Sequence, residues 1–160
     1  MANENGAQKA PHIMVVEARF YEDVADELVR GALAVLNKAG ATYERYQVPG
    51  AFEIPAAVRY AIRSQQFEAR LRRFDGYVAL GCVIRGETSH YDYVCSESAR
   101  GLQDLVLSYS IALGYGILTV ENADQAWERA SVDKRDKGGE AARTCLAMID
   151  VKKRLRLTRK

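Results

Sequence analysis

Along this chain, short runs of consecutive apolar residues alternate with longer stretches in which apolar residues return every three or four positions. Residues 13–16 form the first run, ending at Glu17-Ala18-Arg19-Phe20-Tyr21. Val24, Leu28, Val35 and Leu36 then recur at helical spacing until Gly40 closes the helix. Residues 42–48 alternate weakly and stop at Pro49-Gly50, which reads as a strand followed by a hard turn. A helix through Ala56, Ala57, Tyr60 and Ala61 follows, with Pro55 in its first turn, where proline is tolerated. Residues 65–75, with Arg70, Arg72 and Arg73, read as a solvated, charged connection.

Residues 77–84 have the length and β-branched content of a strand buried on both faces. A long helix is expected from about residue 91 to 113, stopped by Gly114. A fourth strand then covers 115–120. Asn122, a helical stretch at 125–130 and a polar connection at 131–137 lead to a last helix from about residue 139, burying Ala142, Leu146 and Ile149. Four strands alternating with helices predict an α/β protein: a three-layer α/β/α sandwich around a four-stranded parallel sheet in flavodoxin-like order, with right-handed connections. Residues 1–10 read as a mobile polar tail and 11–157 as a single domain.

Composition narrows the function. The 23 basic and 21 acidic residues nearly balance, which argues against a general nucleic-acid binder, and the six cations from Lys152 onward suit a solvated helix end. No apolar run approaches the ~18 residues of a membrane span and the start of the chain has no signal-peptide core, so a cytoplasmic protein is expected. Cys82, Cys95 and Cys145 match no zinc or CxxC spacing, so reduced, packed thiols are expected, with neither metal nor disulfide.

The chemistry concentrates after the third strand, in Arg85-Gly86-Glu87-Thr88-Ser89-His90. Here a buried strand turns through a glycine into a helix start, with Thr88 and Ser89 where an N-cap belongs. Free amide hydrogens, the positive end of the helix dipole and two hydroxyls make an anion site, for which phosphate is the natural guest. The same dipole disfavours a positive charge on His90, suiting its ring to accept a proton. Each feature also has a plainer reading: a turn that merely needs Gly and Thr, and a solvated or packed histidine. Phe20 is either a staple on the following helix or a stacking platform, and Glu53 either a dipole partner or a ligand group. Phe20, Ala51 to Glu53, and Arg85 to His90 nevertheless all fall past the carboxyl ends of successive strands, where such sheets bind ligands.

The run GCVIRGETSHYDYV, together with Pro49-Gly50-Ala51-Phe52-Glu53-Ile54-Pro55 and Leu118-Thr119-Val120-Glu121-Asn122, closely resembles the lumazine synthases of riboflavin biosynthesis, over about residues 12–150. That resemblance implies condensation of 5-amino-6-(D-ribitylamino)uracil with 3,4-dihydroxy-2-butanone 4-phosphate, releasing phosphate and water without metal or organic cofactor. By motif position, it implies that Phe20 stacks on the pyrimidine, that Ala51, Phe52 and Glu53 line the uracil and ribityl pocket, and that Cys82, Val83 and Ile84 hold the pyrimidinedione. It assigns Glu87 and Thr88 to the phosphate substrate and His90 to proton transfer. It also implies a homo-oligomer, most simply a pentamer, in which Tyr115, Arg129 and Lys137 reach the pocket of the next subunit.

Two positions depart from the family pattern. Tyr115 stands where many members carry Phe, and Ser131 to Asp136 lacks the glycines usual at this bend in members that build sixty-subunit shells. Without residues that readily take positive φ, an isolated pentamer is expected. A non-catalytic flavin or lumazine carrier on the same scaffold is the competing expectation.

Overall fold

A computed structural model describes residues 9–70 and 73–158. Most of the expected tail, Arg72 and the last two cations lie outside the described residues. Strand β1 (His12–Ala18) is buried along its whole length and leads through a short turn into helix α1 (Glu22–Lys38). Gly40, at φ +69°, supplies the left-handed residue beyond that helix's end. Strand β2 (Thr42–Val48), a single 3-10 turn (Ala51–Glu53) and helix α2 (Ile54–Phe67) follow. Then come β3 (Gly76–Ile84), α3 (His90–Tyr109), β4 (Leu113–Val120), α4 (Ala123–Ala130) and α5 (Lys137–Arg154).

The strands form one parallel sheet in the order β2-β1-β3-β4. Alternation along each strand sends side chains to two cores. On one face Ile13, Val15, Val78, Leu80 and Val120 meet Leu28 and Leu36 of α1, Ala126 of α4 and Cys145 of α5. On the other, Met14, Val16, Ala79 and Ile117 meet Ile54 and Val58 of α2 and Leu102 of α3. The expected α/β/α sandwich is therefore present, with β2 and β4 at the sheet's edges.

Several boundaries differ from the sequence reading, each for a physical reason. β1 does not stop before Glu17: that carboxylate is fully buried inside the strand. It accepts two bonds from Arg45 on β2, at 2.9 and 2.8 Å, and longer ones from Gln47 (3.3 Å) and Arg19 (3.4 Å). A charge that looked like a strand end is a buried, paired group. Helix α2 continues to Phe67, shortening the charged connection.

Helix α3 ends at Tyr109, well before residue 113, because Ser110 turns left-handed at φ 52°. Gly114 is then not a stop but a contact residue within β4, where a Cβ would run into the carbonyl of Ala141 on α5. Helix α5 starts at Lys137, two residues early, with Gly138 packed against the Leu28 carbonyl of α1. In the preceding bend Asp136 does take positive φ, 43°, while its side chain accepts from the Gly139 amide at 3.1 Å. The expectation that this bend holds no left-handed residue is thereby corrected: aspartate is one of the few non-glycine residues that reach this region readily. Leu146 is only partly buried.

At the amino end of β1 lies His12, the other histidine of the chain. Its ring bonds Thr42 Oγ1 (2.7 Å) and Glu44 Oε1 (3.0 Å) and stacks on Phe74 at 5.2 Å. This group packs and is hydrogen-bonded at the end of the strand opposite the carboxyl-end loops.

Candidate active site

The carboxyl ends of β1, β2 and β3 open into one pocket of about 520 Å³. Phe20 lines it from the turn after β1, with its ring edge-to-face on Tyr21 at a centroid distance of 5.0 Å. That contact occupies only one edge, since Phe20 remains 72 % exposed. A staple would bury the ring, so the arrangement suits a platform open to a flat ligand.

From the turn after β2 come Ala51, Phe52 and Glu53. The Glu53 amide bonds back to the Gly50 carbonyl at 3.2 Å, closing the 3-10 turn. Ala51 is buried against the second core, whereas Phe52 is 54 % exposed and Glu53 lies at the N-cap of α2. The β3 end supplies Cys82, Val83 and Ile84. Burial pushes the Cys82 thiol up to about 12, and that of Cys145 likewise to about 12, so neither is a thiolate at neutral pH.

Gly86, Thr88 and His90 complete the wall at the opening of α3. Ser89 occupies the N-cap position but its side chain makes no capping bond. Thr88 Oγ1 reaches the His90 amide only at 3.4 Å. The opening turn is thus weakly capped, which leaves it suited to an anion. A Cβ on Gly86 would meet nothing within 4 Å, so the chain's own packing does not demand glycine there.

Other expected site residues are not brought to this pocket. Glu87 is exposed in the same loop without lining it. Tyr115 lies mid-way along the edge strand β4, opposite Ala79, 41 % exposed; burial pushes its hydroxyl above the ordinary tyrosine range, against a hydrogen bond with Ser98 that works the other way. Arg129 donates to the Gln125 carbonyl at 3.1 Å in the last turn of α4, close after Trp127, which is 43 % exposed. Lys137 pairs with Glu140 at 2.7 Å. All three sit on β4 or on the elements that follow it.

The pocket also contains residues the sequence reading did not single out, notably Tyr21 and Tyr91. Tyr91 lies beneath the guanidinium of Arg85, 4.2 Å from the ring centroid. The signal was present in the sequence as an aromatic directly after His90, but it was absorbed into the helical periodicity.

A doubly wound parallel sheet with an aromatic-walled pocket past the carboxyl ends of three strands defines a flavodoxin-like α/β protein. The sequence profile described as 6,7-dimethyl-8-ribityllumazine synthase matches residues 10–153. Among proteins bearing that name, the one from Agrobacterium fabrum is 54 % identical over 91 % of this chain and 97 % of its own length. The one from Bartonella tribocorum is 53 % identical over 92 % and 93 %. A protein of Rhizobium meliloti, 6,7-dimethyl-8-ribityllumazine synthase 1, is 56 % identical over 92 % and 95 %. The chain belongs to the 6,7-dimethyl-8-ribityllumazine synthase family.

Proposed function

We propose that this chain condenses 5-amino-6-(D-ribitylamino)uracil with 3,4-dihydroxy-2-butanone 4-phosphate, forming 6,7-dimethyl-8-ribityllumazine and releasing phosphate and water, the penultimate step of riboflavin biosynthesis. The observation that carries this reading is the single pocket in which Phe20, Glu53, Thr88 and His90 meet. Phe20 stacks on the pyrimidine, while Ala51, Phe52 and Glu53 hold the uracil and ribityl groups. Cys82, Val83 and Ile84 contact the pyrimidinedione along the strand end. Thr88 and the open backbone at Gly86, with Glu87 beside them in the same loop, receive the phosphate substrate.

The aryl amine attacks the ketone, a Schiff base forms, phosphate leaves by elimination and the ring closes. Each step moves a proton, and His90 at the pocket wall serves as acceptor and donor in turn. Holding two substrates in one enclosure supplies much of the remaining acceleration.

The half of the site on β4, α4 and α5 serves a neighbouring copy: Tyr115 against its pyrimidine, Arg129 on its phosphate and Lys137 nearby. Arg129 presents a guanidinium fork suited to phosphate oxygens. The enzyme works as a pentamer in the cytoplasm, its sites between adjacent subunits. No helix among the described residues is long and apolar enough to cross a membrane. Mixing the two substrates and following lumazine absorbance tests the activity. Tight flavin binding with no product formed would overturn it in favour of a carrier.

A further inference from the structure

Between β3 and α3 the pocket wall is a five-residue loop with little to hold it. Ser89 gives no side-chain cap, Thr88 reaches the His90 amide only at 3.4 Å, and Gly86 faces open space. Beyond the Asp92 amide, which donates to the Ser89 carbonyl at 3.0 Å, and the long Thr88 contact, both local to the start of α3, the loop's polar ties among the described residues pass through Arg85, and these alone reach β4. Its amide donates to the Val120 carbonyl at 3.0 Å, fixing the loop's first residue to the end of β4. Its Nε donates to Glu121 at 2.7 Å and Nη1 lies 3.4 Å from Asp92 in the first turn of α3. The guanidinium plane meanwhile rests over Tyr91, itself a pocket residue.

We propose that Arg85 is a positioning residue for the reaction: by joining the end of β4 to the first turn of α3 through Glu121, Asp92 and Tyr91, it fixes where Thr88 and His90 stand in the pocket. This rests on the function proposed above. A guanidinium suits the task because one planar group can bond carboxylates along its edge while its face covers an aromatic ring; an ammonium cannot do both. The ion pairs are solvent-exposed, so they contribute little to global stability. Their effect is on local geometry, to which a condensation between two bound substrates is sensitive.

The test compares the wild-type oligomer with Arg85→Gln, Arg85→Lys and Glu121→Gln by steady-state kinetics and by hydrogen exchange of the amides from Gly86 to His90. Arg85→Gln is expected to melt near the wild-type temperature and to lower kcat about tenfold or more. Arg85→Lys should recover little of that loss, Glu121→Gln should reproduce part of it, and loop amides should exchange faster while the middle of α3 is unchanged. An unaltered kcat with unaltered exchange overturns the proposal. So does a rise confined to KM for the phosphate substrate with Glu121→Gln silent, which would make Arg85 a direct phosphate ligand. Should the wild-type protein form no lumazine, the proposed function fails on its own, and the exchange rates alone decide whether Arg85 holds the loop.

Discussion

Gly86 in the β3–α3 loop and His90 at the first residue of α3 stand four residues apart and make opposite demands on substitution. His90 lines the pocket at the first residue of α3, exposed and without a close bond to any carboxylate among the described residues. An imidazole acting alone in proton transfer is worth about a hundredfold in rate, and substrate orientation survives its removal. His90→Ala is therefore expected to lower kcat about a hundredfold with binding little changed, and an unaltered steady-state rate would refute the role. Gly86 carries no left-handed strain and a side chain there would meet nothing of the chain itself. Gly86→Val should fold with an unchanged melting temperature yet raise KM for the phosphate substrate about tenfold, the equivalent of roughly 1.4 kcal/mol. A drop in stability instead would show that the glycine serves the fold. At this scale the sequence was readable for placement: Phe20, Thr88 and His90, each past a strand end, do line one pocket. It was unreadable where the role depends on a partner: Tyr91 and Arg85 acquire their geometry only when the ends of β3 and β4 are side by side.

Among the elements, β1 and β2 carry the clearest energetic test. Glu17 is buried completely, and Arg45 supplies its two shortest bonds from the neighbouring strand. Arg45→Ala leaves that carboxylate with only the longer contacts from Arg19 and Gln47. The expected cost is about 2 kcal/mol, read from the shift of a urea unfolding midpoint, because a buried acceptor has lost its main donor. A change no larger than for an exposed arginine would show that water reaches Glu17. This pair also explains a limit of the sequence reading. A glutamate after four apolar residues looks like the edge of a strand, and only the parallel register of β1 with β2 places a guanidinium beside it. Gly114 misled in the same way, because glycine after a long apolar helix reads as a stop, whereas here it admits the backbone of α5 against β4. The strand and helix order was legible because periodicity is local; the contacts that set their ends are not.

At the level of the whole molecule, the bend between α4 and α5 is tied back to α1. Glu27 accepts the Val132 amide at 2.9 Å and pairs with Arg30 at 2.7 Å. Those bonds, Arg30 first and Val132 second, hold the Glu27 carboxyl below its ordinary value of 4.5. A carboxyl lowered on folding adds stability that is fully present above its unfolded value and is lost as pH falls through the folded one. Thermal melts of wild type and Glu27→Gln should therefore differ at pH 7 and converge as pH drops below about 4.5. A gap that does not shrink as pH falls below that value would assign the effect to packing. Light scattering at the mass of five chains is the expected result, and a sixty-subunit mass would overturn the pentamer.

Trp127 is the only tryptophan of the chain, and α4 leaves its indole partly in solvent just before Arg129. If α4 closes over an adjacent pocket, that indole passes from water into a drier setting as the ring forms. Dilution should then shift its fluorescence to the red as subunits part, giving an intrinsic optical signal of ring closure that needs no label and no substrate.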